Sequence, residues 1–349
     1  MPSRRVLKGE KNPLDFAKIP TVLTADEIVD KAFRRASKVE ASSTATGLDK
    51  IRGIELQKVA TVRDVLESTL EKYEKAFPSF ERLPPFYREL AGAVVDVGRT
   101  RQALAALGWA STTSKQVIRE VARDLKRAKT TNDLRDLRNK AYGRVASIVE
   151  KVRPDLEVLA AARKALQDLP TVDPNLGTLV VAGFPNVGKS SLIRRISTAK
   201  PEIAPYPFTT KGVNLGKFTL ARRTFQVVDT PGLLDRPLEE RNAIEVQAIL
   251  ALKHLGDVVV YLLDPTGHCG YPLERQEALL AEMQREFAHA PFLVYESKAD
   301  VGKAPSGRPK LSAETGEGVE EMLAAVVPLL KAAADRKFDL KLKADAGAA

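Results

Sequence analysis

Cysteine is almost absent from this 349-residue chain: Cys269 stands alone, and there are only three histidines. A single thiol excludes an intramolecular disulfide framework and a cysteine-based zinc site, leaving carboxylates and hydroxyls as the plentiful metal ligands. That composition suits a reducing compartment, and a cytoplasmic protein is expected. Long apolar runs are missing too. "VVVYLL", Val258 to Leu263, falls far short of the ~20 residues a spanning helix needs, and the opening "MPSRRVLKGEKNPLDF" has no apolar h-region. A soluble protein with no membrane partner is expected.

What is present is enough apolar residue for two cores, 44% of the chain, and a net charge of +10. The charge is lopsided. Residues 1–170 hold 33 Lys and Arg against 23 Asp and Glu, whereas residues 171–349 hold 22 of each. A basic half joined to a neutral half fits a polyanion-binding module attached to something else; a well-solvated helical surface is the plainer alternative.

The first half has helical periodicity. "TADE" places Thr24 three residues before Glu27, a capping box, so a helix is expected from there to about Ala41. Further helices are expected at about 48–77, 86–109 and 114–129, with "FPSFERLPP" as the clearest break. Leu134, Leu137, Ala141, Val145, Ile148, Val152, Leu156 and Leu159 then predict one long amphipathic helix kinked at Pro154. Residues 1–170 therefore predict an all-α antiparallel helical bundle. Within it, Lys115, Arg119, Arg123, Lys126 and Arg127 share one helical sector opposite Val117, Val121 and Leu125. Such a stripe can follow a phosphate backbone, or it can be the wet face of a bundle.

After "LPTVDPNLG" the pattern changes to short apolar runs alternating with helices: "TLVVAG", "TFQVVD", "DVVVYLL" and "PFLVYE" predict buried strands of a mostly parallel sheet with helices on both faces. This α/β domain is assigned to 171–333, with 334–349 as a short basic flexible tail. The first strand runs into "GFPNVGKS", Gly183 to Ser190, which matches G-x-x-x-x-G-K-[ST] between strand and helix. The loop formed by Gly183, Pro185, Asn186, Val187, Gly188 and Ser191 can cradle phosphates through the backbone N–H groups of its members other than proline. Lys189 can reach the β and γ oxygens and Ser190 can hold Mg²⁺. Companion motifs follow in order. "YPFTTKG" offers a switch hydroxyl to the metal, Thr210 first and Thr209 second. "DTPGLLD" offers Asp229 to a magnesium water and the Gly232 N–H to a γ-phosphate. "ESKAD" resembles a guanine-reading loop with Ser297 where Asn is usual, Lys298 and Asp300 in place, and "LSAETGEG" carries Ser312 and Ala313.

This order resembles the Obg and Nog group of translation-factor-related GTPases. The longer phrases "LPTVDPNLGTLVVAGFPNVGKSS", "DTPGLLDRPLEERNAIEVQAILALKHL" and "DPTGHCGYPLERQ" resemble the nucleolar GTP-binding protein (Nog) family in particular. The resemblance covers roughly residues 10–333 and implies a P-loop GTPase domain preceded by a helical bundle. It also implies a GTP/GDP-binding, GTP-hydrolysing factor for assembly of the large ribosomal subunit, a monomer off the ribosome, whose bundle docks on rRNA and ribosomal proteins. The end at "KFDLKLKADAGAA" suggests an archaeal-type minimal form. Leu233 and Leu234 stand where many GTPases place a water-orienting Gln, so slow intrinsic hydrolysis is expected, with Lys189, Mg²⁺ and backbone donors stabilising the transition state. Asn186 can ligate a stimulating K⁺ or simply stabilise the turn. "DRPLEERNAIEVQAILALKH" reads as a switch region or as a solvated helix start, and His268 with Cys269 as loop packing rather than a ligand pair. The competing reading is an RNA-binding assembly scaffold in which nucleotide is structural. A P-loop ATPase would owe nothing to Lys298 and Asp300.

Overall fold

The structure, a computed structural model, describes residues 16–40, 46–198, 202–204, 213–229, 249, 251–302 and 307–347. Contacts divide these into two compact units: residues 15–80 with 94–167, and residues 81–93 with 168–349.

The helical unit contains α1 (Ala25–Ser37), α2 (Gly47–Ala76), α4 (Val97–Arg127), α5 (Thr131–Lys151) and α6 (Arg153–Gln167). Its first helix starts as the sequence predicts: Thr24 Oγ1 accepts from Glu27 N at 3.2 Å and Glu27 Oε2 from Thr24 N at 2.8 Å. The long helices α2 and α4 pack on each other, and between them they bury Val59, Val62, Leu66, Leu70, Leu107, Val117, Val121 and Leu125 in the core of the unit. Two expected boundaries move. The Ser/Thr cluster at 111–114 does not interrupt α4, because Ser111 and Ser114 are buried small residues on its inner face. The break falls instead at Asp96, whose carboxylate accepts from Arg99 N at 2.8 Å as N-cap. The predicted kinked helix is two helices: α5 ends at Lys151 and α6 begins at Arg153, so Pro154 sits in a first turn, where its missing N–H costs nothing.

The other unit is built on a six-stranded sheet in the order β2-β3-β4-β1-β5-β6: β1 (Thr178–Ala182), β2 (Glu202–Ala204), β3 (Val213–Leu220), β4 (Arg223–Asp229), β5 (Val258–Leu263) and β6 (Phe292–Glu296). β1 pairs in parallel with β4 and β5, and β5 with β6; β3 pairs antiparallel with both β4 and the edge strand β2. The four parallel strands are those the apolar runs predict. β1 and β5 are buried throughout, as strands covered on both faces must be. The unit's helices among the described residues include α7 (Lys189–Ile196), α8 (Leu273–Glu286) and α9 (Val319–Gly347).

Two features depart from the linear division at 170 and 333. Residues 81–93, most of α3 (Pro85–Val94), group with the sheet. Tyr87, fully buried, explains this: its hydroxyl accepts from Val172 N at 2.8 Å and lies 2.7 Å from Val172 O, fastening the segment that leads into β1. The expected flexible tail is helix as far as Gly347, because its charges find partners. Lys337 Nζ donates to Asp257 at 2.6 Å and to the Leu176 carbonyl at 3.1 Å, and Arg223 pairs with Asp335 at 2.9 Å.

Candidate functional site

The carboxyl ends of the parallel strands deliver the candidate residues to one edge of the sheet, where open α/β sheets bind ligands. β1 ends in the glycine loop. Gly183 has φ 138° and Gly188 φ 101°, and a Cβ at Gly183 would stand 2.6 Å from the Leu262 carbonyl oxygen. Only glycine lets the loop turn this tightly against β5. Asn186 also sits in the left-handed region, φ 61°, as a turn residue does. Lys189 is buried, with its Nζ 2.8 Å from the carbonyls of Gly183 and Phe184. Ser190 and Ser191 follow in the first turn of α7, whose N–H groups open toward the loop.

β4 ends at Asp229, fully buried. Its Oδ2 accepts from Ser190 Oγ at 2.5 Å and from Asn214 Nδ2 at 2.9 Å, while Oδ1 is buried without a hydrogen-bond partner among the described residues. A buried carboxylate oxygen left unpaired costs free energy unless something supplies positive charge. Together with the Ser190 hydroxyl it forms a hard-oxygen donor set that fits a magnesium ion.

β6 ends in the "ESKAD" loop. Asn186, Val187, Gly188, Ser191, Ser297, Lys298, Asp300 and Ala313 line one cleft of about 320 Å³, so the phosphate-type and base-type motifs share a cavity. Ser297 is buried, and its hydroxyl donates to the Leu263 carbonyl at 2.9 Å. The short side chain thus leaves no buried group unpaired. It ties the loop to the end of β5. Asp300 is exposed on the cleft. Ser312 is fully buried, its Oγ accepting from Thr315 N at 3.1 Å. Gly183, Pro185, Lys189 and Ser190 lie in the glycine loop beside these; Thr209, Thr210, Gly232, Leu233 and Leu234 lie outside the described residues, as does most of the segment 235–254.

Two family models match: the NOG1 N-terminal helical domain over residues 16–173 and a 50S ribosome-binding GTPase domain over residues 178–298. An uncharacterised protein of Methanocaldococcus jannaschii is 41% identical over 298 residues, 84% of this chain and 83% of its own length. Nucleolar GTP-binding protein 1 of Saccharomyces cerevisiae is 34% identical over 311 residues, 88% of this chain and 48% of its own. The chain belongs to the Nog family of GTP-binding proteins. It spans about half the length of the eukaryotic Nog relatives it matches. The G domain of the FeoB iron transporter of T. maritima is also similar, at TM-score 0.37 and 28% identity, over 44% of this chain and 97% of that one.

For a Nog-family GTPase domain the guanine-nucleotide fold is the expected one, and several of its supports carry no motif. Arg195, on α7, donates through Nε to the Ala313 carbonyl at 2.6 Å and also to the Glu314 carbonyl, joining the loop after β6 to the phosphate-loop helix. Asn214, on the antiparallel strand β3 that the sequence did not announce, steadies Asp229. Asp264 follows β5 as Asp229 ends β4, and this repetition of a carboxylate closing an apolar strand was the available signal. It is fully buried beside Lys298. Burial by itself raises the Asp264 pKa. Hydrogen bonds from Lys298 and Thr266 outweigh that and hold its carboxyl below the usual carboxylate range. Cys269 is packed within the same loop, its N–H donating to Asp264 at 2.7 Å.

Proposed function

We propose that this protein is a GTP-hydrolysing assembly factor for the large ribosomal subunit, whose helical unit docks on rRNA and ribosomal proteins while the GTP/GDP state times its release. The observation that carries the nucleotide half is the single cleft lined both by the glycine loop and by Ser297, Lys298 and Asp300. In this reading the glycine-loop N–H groups and Lys189 hold the phosphates, and Asp300 accepts from the guanine N–H groups. Lys298 lays its stem along the base, and Ser312 and Ala313 close the pocket.

Ser190 and Asp229, with Thr210 from the switch segment, are the residues that would hold Mg²⁺; when bound, the ion neutralises charge on the β and γ phosphates. The unpartnered Asp229 Oδ1 supports that fit. Lys189 and the loop donors stabilise the charge that develops as the terminal phosphate leaves. With Leu233 and Leu234 in place of a water-orienting side chain, turnover by the isolated protein is slow, and Asn186 is the residue that would hold a stimulating K⁺. Equal rates in potassium and sodium would remove Asn186 from that role.

The RNA half rests on α4. Arg119, Arg123, Lys126 and Arg127 are exposed opposite buried Val117, Val121 and Leu125. Trp109, 47% exposed, lies on the same side two heptads before Arg123, offering a ring on which an unpaired base can stack. Lys115 is no part of this surface, because it pairs with Glu67 and Glu71 on α2. The name of the matching GTPase family, 50S ribosome-binding, supports the choice of RNA. Crosslinking of the full chain to rRNA with GTP or GDP bound, alongside a phosphate-release assay, tests both halves. Nucleotide-dependent crosslinks with GTP turnover that excess ATP does not suppress are expected. RNA binding indifferent to nucleotide, without phosphate release, would instead mark a scaffold.

A further inference from the structure

The phrase "DPTGHCGYPLERQ", Asp264 to Gln276, contains no residue that a phosphate- or base-binding motif calls for, yet its two ends meet in the interior. Gln276, fully buried, brackets the main chain of Asp264: its Oε1 accepts from Asp264 N at 2.7 Å and its Nε2 donates to Asp264 O at 3.0 Å. The same Nε2 lies 2.9 Å from the Tyr271 carbonyl. Thus fixed, the Asp264 carboxylate is ringed by donors. Thr266 N and Thr266 Oγ1 reach Oδ1 at 3.0 and 2.5 Å, while Cys269 N and Lys298 Nζ each reach Oδ2 at 2.7 Å.

Lys298 needs such a hold. Its backbone has φ 58°, a region that residues with side chains seldom adopt, and its flexible stem would otherwise sample many rotamers over the cleft. An anchor that is itself immobile, fully buried and saturated with hydrogen bonds, removes that freedom before any ligand arrives. The segment also reaches the other end of the cleft. The Tyr271 ring packs against the Phe184 ring of the glycine loop, centroids 4.7 Å apart, and the Phe184 carbonyl accepts from Lys189 Nζ.

We infer that Asp264 is a positioning residue for guanine-nucleotide binding: held by Gln276 and Thr266, it fixes the Lys298 side chain against the base, and the 264–276 segment braces both ends of the cleft. This rests on the nucleotide site proposed above. Asp264 acts through Lys298 and touches no ligand itself.

The test is a coupling measurement by calorimetric titration of the full chain with GDP, using Asp264→Asn, Lys298→Ala and the double variant. Asp264→Asn is expected to weaken GDP binding about tenfold, the scale of one hydrogen bond between charged groups. In the Lys298→Ala background it should change affinity less than twofold, since the group it positions is gone. Equal losses in both backgrounds, or an Asp264→Asn variant that binds GDP like the parent, overturn the positioning role. Should Asp264→Asn not fold, Thr266→Val carries the same cycle with a smaller expected loss, about threefold, that again disappears without Lys298; a loss that survives overturns the role. Lys189→Ala separates the two levels. GDP binding retained in that variant means the nucleotide site itself is misplaced, whereas binding lost there with no coupling between 264 and 298 defeats the positioning role alone.

Discussion

The two units of this chain are held together by opposite means. The helical unit is a repetition of apolar faces, braced by charge pairs between helices: Lys115 with Glu67 and Glu71, Arg138 with Glu55, Arg99 with Asp155, Arg153 with Asp26. The RNA contact proposed for it is spread along the exposed side of α4 and rests on no single residue. The sheet unit concentrates its information at strand ends, where glycines without alternatives and buried polar side chains such as Asp229 and Asp264 do the positioning. Substitutions in one unit should therefore act on different measurements from those in the other.

The largest effect is expected at Lys189. Replacing it with Ala removes charge-assisted hydrogen bonds to the phosphates, and GTP affinity should fall about a hundredfold or more in an equilibrium titration. Far-UV circular dichroism and the melting of the helices should stay as in the parent; a parallel loss of helix would erase the contrast between the units.

Gly183→Ala probes the backbone instead. At φ 138°, with a Cβ 2.6 Å from the Leu262 oxygen, the variant must shift either the loop or β5, and roughly 2–4 kcal/mol of stability in the sheet unit should disappear. Urea unfolding followed through that unit reads this out. An unchanged midpoint would show that the loop has slack the geometry denies.

Glu55→Ala is the counterpart in the helical unit. Glu55 is 4% exposed and accepts from Arg138 Nη1 at 3.2 Å through both oxygens, with Lys58 Nζ at 3.4 Å. Removing one member of a buried pair strands the others, but Arg138 and Lys58 keep some contact with water, so about 2 kcal/mol is expected rather than the upper figure for such pairs. GDP affinity should not change, and a drop in affinity beyond twofold would contradict the division.

The exposed stripe is expected to respond only to RNA. Arg119, Arg123 and Arg127 changed together to Ala should lower the slope of log affinity against log salt for rRNA fragments by about 2 to 3, roughly 0.7–0.9 per phosphate contact, without altering GTP binding or the melting temperature. A slope equal to the parent's would reduce the stripe to a solvated helix face.

These contrasts also explain what could be read in the sequence. The parallel strands were legible because burial on both faces leaves a continuous apolar run, and the phosphate loop because its glycines and Lys189 sit at fixed spacing in one stretch. The division near the first strand was not, since Tyr87 acts from more than eighty positions upstream. The Asp264–Lys298 pair, 34 residues apart, has no local pattern, and neither does Arg195 on the Ala313 carbonyl. The α4 stripe was legible except at Lys115, where only the packed neighbour α2 reveals that the charge is already used. Local period and motif survive in a linear reading, while partners brought together by topology do not.

Ser297→Asn gives the smallest effect and the finest discrimination within the sheet unit. The sequence alone suggests that Ser in place of Asn loses a hydrogen bond, yet Ser297 Oγ donates to the Leu263 carbonyl at 2.9 Å, beside the Ser297 N–H that donates to the same oxygen at 2.7 Å. An Asn side chain must give up the first of these bonds before it reaches into the cleft, so the net gain is at most one hydrogen bond, about 0.5–1.5 kcal/mol, and GDP binding should tighten by roughly two- to tenfold. The selectivity for GDP over ADP should not move, because in the proposed site Asp300 rather than residue 297 reads the base. Unchanged or weaker GDP binding would mean that fastening the loop to β5 is worth as much as the contact Asn makes, and that Ser297 is an equal solution and not a weakened one.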